Sequence, residues 1–147
     1  MGEQEDARAQ AAQFWKHHKE VWDASGGTEM NEVLGMGVLQ LNTTGRRSGS
    51  SRSVLLTYLN DENGWLVAAS NLGADHDPGW LRNLRASDGQ GSVTIGSDTT
   101  PVKAQELVDV ERDRAYQRFV STYEGYANYE KWTDREIPVV ALRPERG

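Results

Sequence analysis

The dipeptide Asn63-Gly64 stands between two strand-like runs, SRSVLLTYLN (51–60) and GWLVAAS (64–70). Asn-Gly is a strong hairpin signal, because both residues tolerate the left-handed backbone of a tight antiparallel turn. The pattern recurs along the chain. GVLQLNTT (37–44) precedes this pair, and QGSVTIG (90–96) and PVKAQELV (101–108) flank SDTT as a second hairpin. IPVVALRP (137–144) closes the series, with Pro138 near an edge or at a strand start. A sheet of about six mostly antiparallel strands that closes on itself removes its own edges. The expected class is therefore mainly β, a small barrel with peripheral helices. Strands and helices do not alternate, and no GxGxxG follows a strand, which argues against a Rossmann sheet.

Three segments read as helices. Over 4–23, Ala7, Ala11, Phe14, Trp15, His18, Val21 and Trp22 recur at three- and four-residue steps, and ASGGTE (24–29) ends the helix. A second helix falls within 75–86, with Asp77 as its cap and Pro78 at its first position. A third covers 109–123, capped by Asp109. Residues 1–147 form one domain in this reading, with helix and loop over 1–27 and the barrel over 37–144. The first helix is expected to pack on the barrel or on a second subunit, which makes a homodimer an open option.

Bulk properties narrow the function. A chain of 147 residues suits one core. No apolar run approaches the ~18 residues of a membrane span, and the polar start MGEQEDARAQ is unlike a signal peptide. The absence of cysteine removes disulfides, thiol catalysis and cysteine-ligated metals. A formal charge of −6 argues against nucleic acid as a partner. The expected location is cytoplasmic, with membrane contact at most peripheral. His17, His18 and His76 form no metal-binding spacing, and no G-x-S-x-G appears.

Against this acidity, NTTGRRSGSSRS (42–53) concentrates Arg46, Arg47 and Arg52 around Ser48 and glycine. Glycine admits an anion to the backbone, serine adds donors, and arginine offers a planar fork matching phosphate or carboxylate. The same composition suits a solvated turn, and the residues alone leave both readings open. In AASNLGADHDPGWLRNL (68–84), small side chains end a strand and leave room for a flat ring beside a helix N-terminus. Trp80 is either a wall of that pocket or core. Tyr123, Tyr126 and Tyr129 recur every three residues and either roof a pocket or form a packing stripe. Anion-binding groups and a ring-sized pocket, with few acid–base or nucleophilic tools, fit an enzyme whose cofactor carries the chemistry.

In this order, LNTTGRRSGSSR, LVAASNLGADHDPGWLRNLRA and YEGYANYEKWTDREIPVVALRP resemble the deazaflavin-dependent nitroreductase family, over about Val38 to Pro144. The resemblance implies a split β-barrel using the reduced deazaflavin coenzyme F420 as hydride donor. It implies a planar, electron-poor small-molecule acceptor such as a quinone, enone or nitroaromatic. Arg46, Arg47, Ser48 and Arg52 fall where the family holds the cofactor's phosphate and oligoglutamate tail. Val54, Leu55, Leu56 and Thr57 fall beside the deazaflavin, and Ala68, Ala69, Ser70 and Asn71 line its ring. Gly79, Trp80, Leu81, Arg82 and Asn83 supply the helix closing the groove. Tyr123, Tyr126 and Tyr129 shape the acceptor side together with Thr57 and Ser70. Ser70 and Tyr126 are the hydroxyls expected to act on the acceptor, with Tyr126 also against the cofactor. Arg47, Ser51, Leu55, Thr57 and Asn71 depart from residues common in the family, which bears on the acceptor more than on the cofactor. A carrier that binds F420 without turnover, or a barrel binding FMN or haem, are the alternatives; three clustered arginines favour the longer anionic tail of F420 over FMN.

Overall fold

The computed structural model describes residues 2–25, 32–33 and 35–145. Among these the elements run α1 (Gly2–Ser25), β1 (Glu32–Val33), β2 (Met36–Thr44), β3 (Ser51–Asp61), β4 (Gly64–Ala68) and a 3-10 turn (Asn71–Gly73). They continue through α2 (Gly79–Ala86), β5 (Gln90–Ile95), β6 (Asp98–Glu106), α3 (Asp109–Thr122), α4 (Gly125–Trp132) and β7 (Val139–Pro144). All pairings are antiparallel, in the order β1-β2-β3-β4-β7-β6-β5. Gln40, Leu41 and Asn42 of β2 also pair with Thr94, Val93 and Ser92 of β5, which closes β2 through β7 into a barrel. Two-residue β1 is an appendage on β2.

Strand periodicity explains how the barrel is filled. Successive side chains point to opposite faces. Val67 of β4 and Val140 and Leu142 of β7 therefore join Leu39, Leu41 and Trp80 in one core, plugged by α2. Their neighbours Leu66, Val139 and Ala141 pack against Tyr116, Phe119 and Tyr126 of α3 and α4 on the other face. Burial on both faces is why VVAL reads as an unbroken apolar run. A third cluster joins Trp22 and Trp15 of α1 to Val38 and Leu55, so the first helix lies on β2 and β3. Phe14 of that helix is left half exposed. The side chain of Ala7 and residues 26–29 of the expected stop signal lie outside the described residues.

Four local expectations are corrected. Asp61 pairs with Gly64, so the first hairpin turns on Glu62 and Asn63. Gly64 is needed for another reason: its φ is +139°, and a Cβ there would strike the carbonyl oxygen of Leu142. The second hairpin turns on Gly96 and Ser97, not over SDTT, because Thr99 and Thr100 continue the ladder. The Thr94 and Thr99 hydroxyls bond across it at 2.8 Å. Asp77 does not cap α2; Pro78 holds the cap position and the Asp77 carboxylate is drawn to two arginines. Asp109 does not cap α3 either; Val108 precedes the helix and makes no side-chain cap. The tyrosine segment adds a fourth helix, α4.

Candidate functional site

A cleft of about 960 Å³ runs along one side of the barrel. Its walls come from α1, β3, the β2–β3 loop, the segment from Ala68 to Asn83, and the tyrosines of 123–129. Of the residues expected at the site, Ala69 and Leu81 do not line it. Both belong to the barrel core, at 0% and 1% exposure. Alternation along β4 and the inward face of α2 send these two side chains away from the cleft. The other expected residues all lie on its walls.

The arginine loop is a compact turn. Gly45 N–H donates to the Ser50 carbonyl at 2.8 Å, and Gly49 N–H to the Gly45 carbonyl at 2.9 Å. Gly49 takes φ +72°, which glycine adopts without cost. Buried Asn83 ties the loop to α2: its Oδ1 accepts from the Arg46 backbone N–H (3.2 Å) and Nη1 (2.9 Å). Its Nδ2 donates to the Thr43 hydroxyl at 3.2 Å. Among the described residues, no carboxylate pairs with Arg46, Arg47 or Arg52. Their charge therefore faces solvent and the cleft.

Helix α1 supplies a wall that sequence reasoning left undefined. Ala12, Trp15, Lys16 and Lys19 fall on the cleft, at steps of three, one and three residues that fit one helical face. That spacing was the available signal. Lys16, Lys19, Arg46, Arg47, Arg52 and Arg82 give the lining six basic side chains against one carboxylate, Asp77, with Lys19 also paired to Asp23 of its own helix at 2.7 Å. Asp77 is itself held by Arg85 (2.8 Å) and Arg135 (3.0 Å). An acidic chain thus concentrates positive charge on one concave surface, the footprint of an anionic ligand.

At the opposite wall, the Thr57 and Tyr126 hydroxyls lie 2.8 Å apart. Tyr126 is buried at the centre of an aromatic cluster, edge-on to Tyr116, Tyr123 and Tyr129. Burial raises its phenol above the usual tyrosine value, with the Thr57 hydrogen bond opposing. Burial likewise pushes Tyr129 up to about 12. Both present neutral hydroxyls at neutral pH. Ser70 is buried, and Asn71 and Leu72 beside it take φ of 46° and 55°. Arg135 is the other residue sequence reasoning missed. It is an isolated arginine in a polar connection and carries no local signal, yet it bonds the carbonyls of Ala69, Ser70 and Ala74. Its burial lowers its pKa from the ordinary arginine value.

Comparison with known proteins gives this geometry a family. A model described as F420H(2)-dependent quinone reductase matches residues 13–144. A Mycobacterium tuberculosis protein whose name places it in that class is 39% identical over 106 residues, 72% of this chain and 88% of its own. A second from that organism, named F420H(2)-dependent quinone reductase, is 33% identical over 107 residues, 71% of each chain. The solved F420-H2 dependent reductase FDR-A superposes with a TM-score of 0.64 at 33% identity, covering 72% of this chain and 93% of its own. At 17% identity, the Vibrio cholerae haem storage protein HutZ shares the fold, covering 75% of this chain and 82% of its own with a TM-score of 0.58. With the barrel closed as a split β-barrel and the match running across nearly its whole length, this chain belongs to the F420H(2)-dependent quinone reductase family.

Proposed function

We propose that the cleft seats reduced coenzyme F420 with its phosphate and oligoglutamate tail on the 45–52 loop, and a quinone beside Ser70, Thr57 and the α4 tyrosines. The enzyme is an F420H2-dependent oxidoreductase, with quinone as its acceptor type. The observation that carries the residue assignment is the arginine loop, which opens on the cleft with no carboxylate of the described residues to neutralise it. The donor set fits the group: arginine forks, lysines and a serine hydroxyl for carboxylates and phosphate, and small Ala68 and Ser70 beside a flat ring.

When bound, F420H2 supplies a hydride from its deazaflavin ring. The residues of the chain do the rest by position and polarity. The arginine loop and the α1 lysines fix the anionic tail, and so the depth at which the ring lies. Tyr126, with Thr57, presents a hydroxyl pair toward the acceptor side; Ser70 presents a third hydroxyl from the floor. A quinone that accepts a hydride becomes an anion at one oxygen and needs one proton to become a hydroquinone. These neutral hydroxyls stabilise that oxygen by hydrogen bonding. In this proposal solvent is the source of the proton, and the buried phenols, which stay protonated at neutral pH, serve as hydrogen-bond donors to that oxygen.

A second copy of this chain is the protein partner we favour. Support comes from a solved structure described as a domain-swapped dimer, 30% identical with a TM-score of 0.67, covering 90% of this chain and 99% of its own. Light scattering tests it. Mixing purified enzyme with F420H2 and a quinone panel tests the function. Quinone-dependent oxidation of F420H2 is expected; binding without oxidation across the panel would replace the reductase by a carrier.

A further inference from the structure

Resting on the cofactor reading above, we propose that Arg135 is a positioning residue for the cleft. It clasps the Ala69–Asp77 floor to the aromatic roof and keeps the Asp77 carboxylate from opposing an anionic ligand.

The guanidinium lies three residues beyond the end of α4, with 15% of the side chain exposed. Each of its nitrogens is used. Nε donates to the Ala74 carbonyl at 2.9 Å. Nη2 donates to the carbonyls of Ala69 (3.0 Å) and Ser70 (2.9 Å). Nη1 donates to Asp77 Oδ1 at 3.0 Å. All four acceptors belong to the nine-residue connection 69–77, and none to the element that carries the arginine.

That connection needs a clasp. Asn71, Leu72 and Gly73 take φ of 46°, 55° and 78° in succession. Two of the three carry a Cβ, and such residues persist in left-handed backbone only where their surroundings over-determine them. Its internal bonds include Gly73 N–H to the Ser70 carbonyl at 2.9 Å, Ala74 N–H to the Asn71 carbonyl at 3.1 Å, and Asn71 Nδ2 to the His76 carbonyl at 3.1 Å. On the other side Gly73 faces α4 so closely that a Cβ would lie 3.0 Å from the Trp132 ring and 3.3 Å from the Tyr129 Cα. The floor carrying Ser70 is thus set between the α4 roof and a guanidinium from the segment that follows α4. Their relative position decides how far the Ser70 hydroxyl lies from those of Tyr126 and Tyr129.

The electrostatic role follows from Asp77. Its Oδ1 is taken by Arg135 and its Oδ2 by Arg85 Nη1, while Arg85 is shared with Glu106 through Nε (2.9 Å) and Nη2 (2.7 Å). Without Arg135, the one carboxylate among six cations on the cleft lining loses a partner. The other partner is already divided between two acids.

Three variants separate the roles: Arg135→Met, Arg135→Lys, and Arg135→Met combined with Asp77→Asn. Hydrogen exchange on ligand-free protein reads the clasp. In Arg135→Met the Gly73 and Ala74 amides should exchange at least about tenfold faster while Val67 and Val140 in the barrel stay protected, with Arg135→Lys intermediate. F420 titration reads the charge. Arg135→Met should weaken binding at least about tenfold, and adding Asp77→Asn should restore several-fold of it without slowing the exchange. A structural role alone gives no such rescue. Wild-type exchange at Gly73 and Ala74 in folded Arg135→Met, or in Arg135→Lys should the former not fold, overturns the clasp. Loss of F420 affinity that Asp77→Asn fails to relieve overturns the electrostatic role. Wild-type protein that binds no F420 overturns the cofactor reading and that role with it, while the exchange result judges the clasp independently.

Discussion

The side-chain oxygen of Asn83 accepts from both the backbone N–H and the guanidinium of Arg46, so α2 and the arginine loop are joined through one buried amide. The same amide donates to Thr43 at the end of β2. The first arginine of the loop is therefore oriented before any ligand arrives.

Asn83→Ala should remove that orientation and strand buried partners. A lost buried hydrogen bond of this kind costs ~1–2 kcal/mol, which lowers Tm by about 2–8 °C for a chain of this size. F420 should bind about tenfold more weakly, measured by fluorescence titration. Unchanged affinity with a lowered Tm would confine Asn83 to stability.

The buried tyrosines make a pH prediction. Burial raises Tyr129 to about 12, and raises Tyr116 and Tyr126 as well. Below about pH 10 the folded and unfolded chains both keep these phenol protons, so the three contribute no pH dependence. Above about pH 10 the unfolded chain loses them first, and stability falls as pH rises toward 12. Melting curves check the direction. In pH–rate profiles, Tyr126→Phe and wild type should share the same shape between about pH 7 and pH 10. A limb near pH 8–9 that vanishes in Tyr126→Phe would mean an ionising phenol.

Helix α1 should matter for both stability and affinity. Trp22 is 3% exposed against Val38 and Leu55, and removing such a side chain costs ~3–5 kcal/mol. Trp22→Ala should lower Tm accordingly. Lys16→Ala with Lys19→Ala should cost little Tm, because Lys16 is exposed and the Lys19–Asp23 bridge (2.7 Å) is a partly exposed i,i+4 pair, yet weaken F420 several-fold. Calorimetry and titration of the two variants separate the contributions.

Gly64→Ala should be among the costliest small substitutions in the barrel. The residue holds φ +139° with the Leu142 carbonyl where a Cβ would stand. Strain of this kind costs ~1–3 kcal/mol, and displacing β7 adds to it. A Tm within 2 °C of wild type, by the ~2–4 °C per kcal/mol expected of this size, would contradict that geometry.

What the sequence disclosed and what it withheld divide along physical lines. Period-two runs and glycine turns reveal strands, because both signals are local. The arginine loop was readable because charge density against an acidic background is itself a signal. Asp77 was misread as a helix cap because its sequence neighbours, Pro78 and Gly79, fit that role. Its true partners, Arg85 and Arg135, lie 8 and 58 residues away. Arg135 was invisible for the same reason, since every group it holds lies more than fifty residues before it. Ala69 and Leu81 were carried into the site by resemblance, and strand and helix facing turn them into the core. Lys16 and Lys19 needed knowledge of which face of α1 meets the barrel.

The central claim is that the cationic loop exists to hold an anionic tail. Comparing wild type with Arg46→Ala/Arg47→Ala, titrated with F420 and with the tail-less deazaflavin that lacks phosphate and glutamates, tests it most directly. Charge-assisted contacts contribute ~1.5–3 kcal/mol each. Wild type should therefore bind F420 at least about tenfold more tightly than the tail-less form, and the double variant should lose most of that preference. Equal binding of both ligands by wild type, or an unchanged preference in the double variant, would contradict the account.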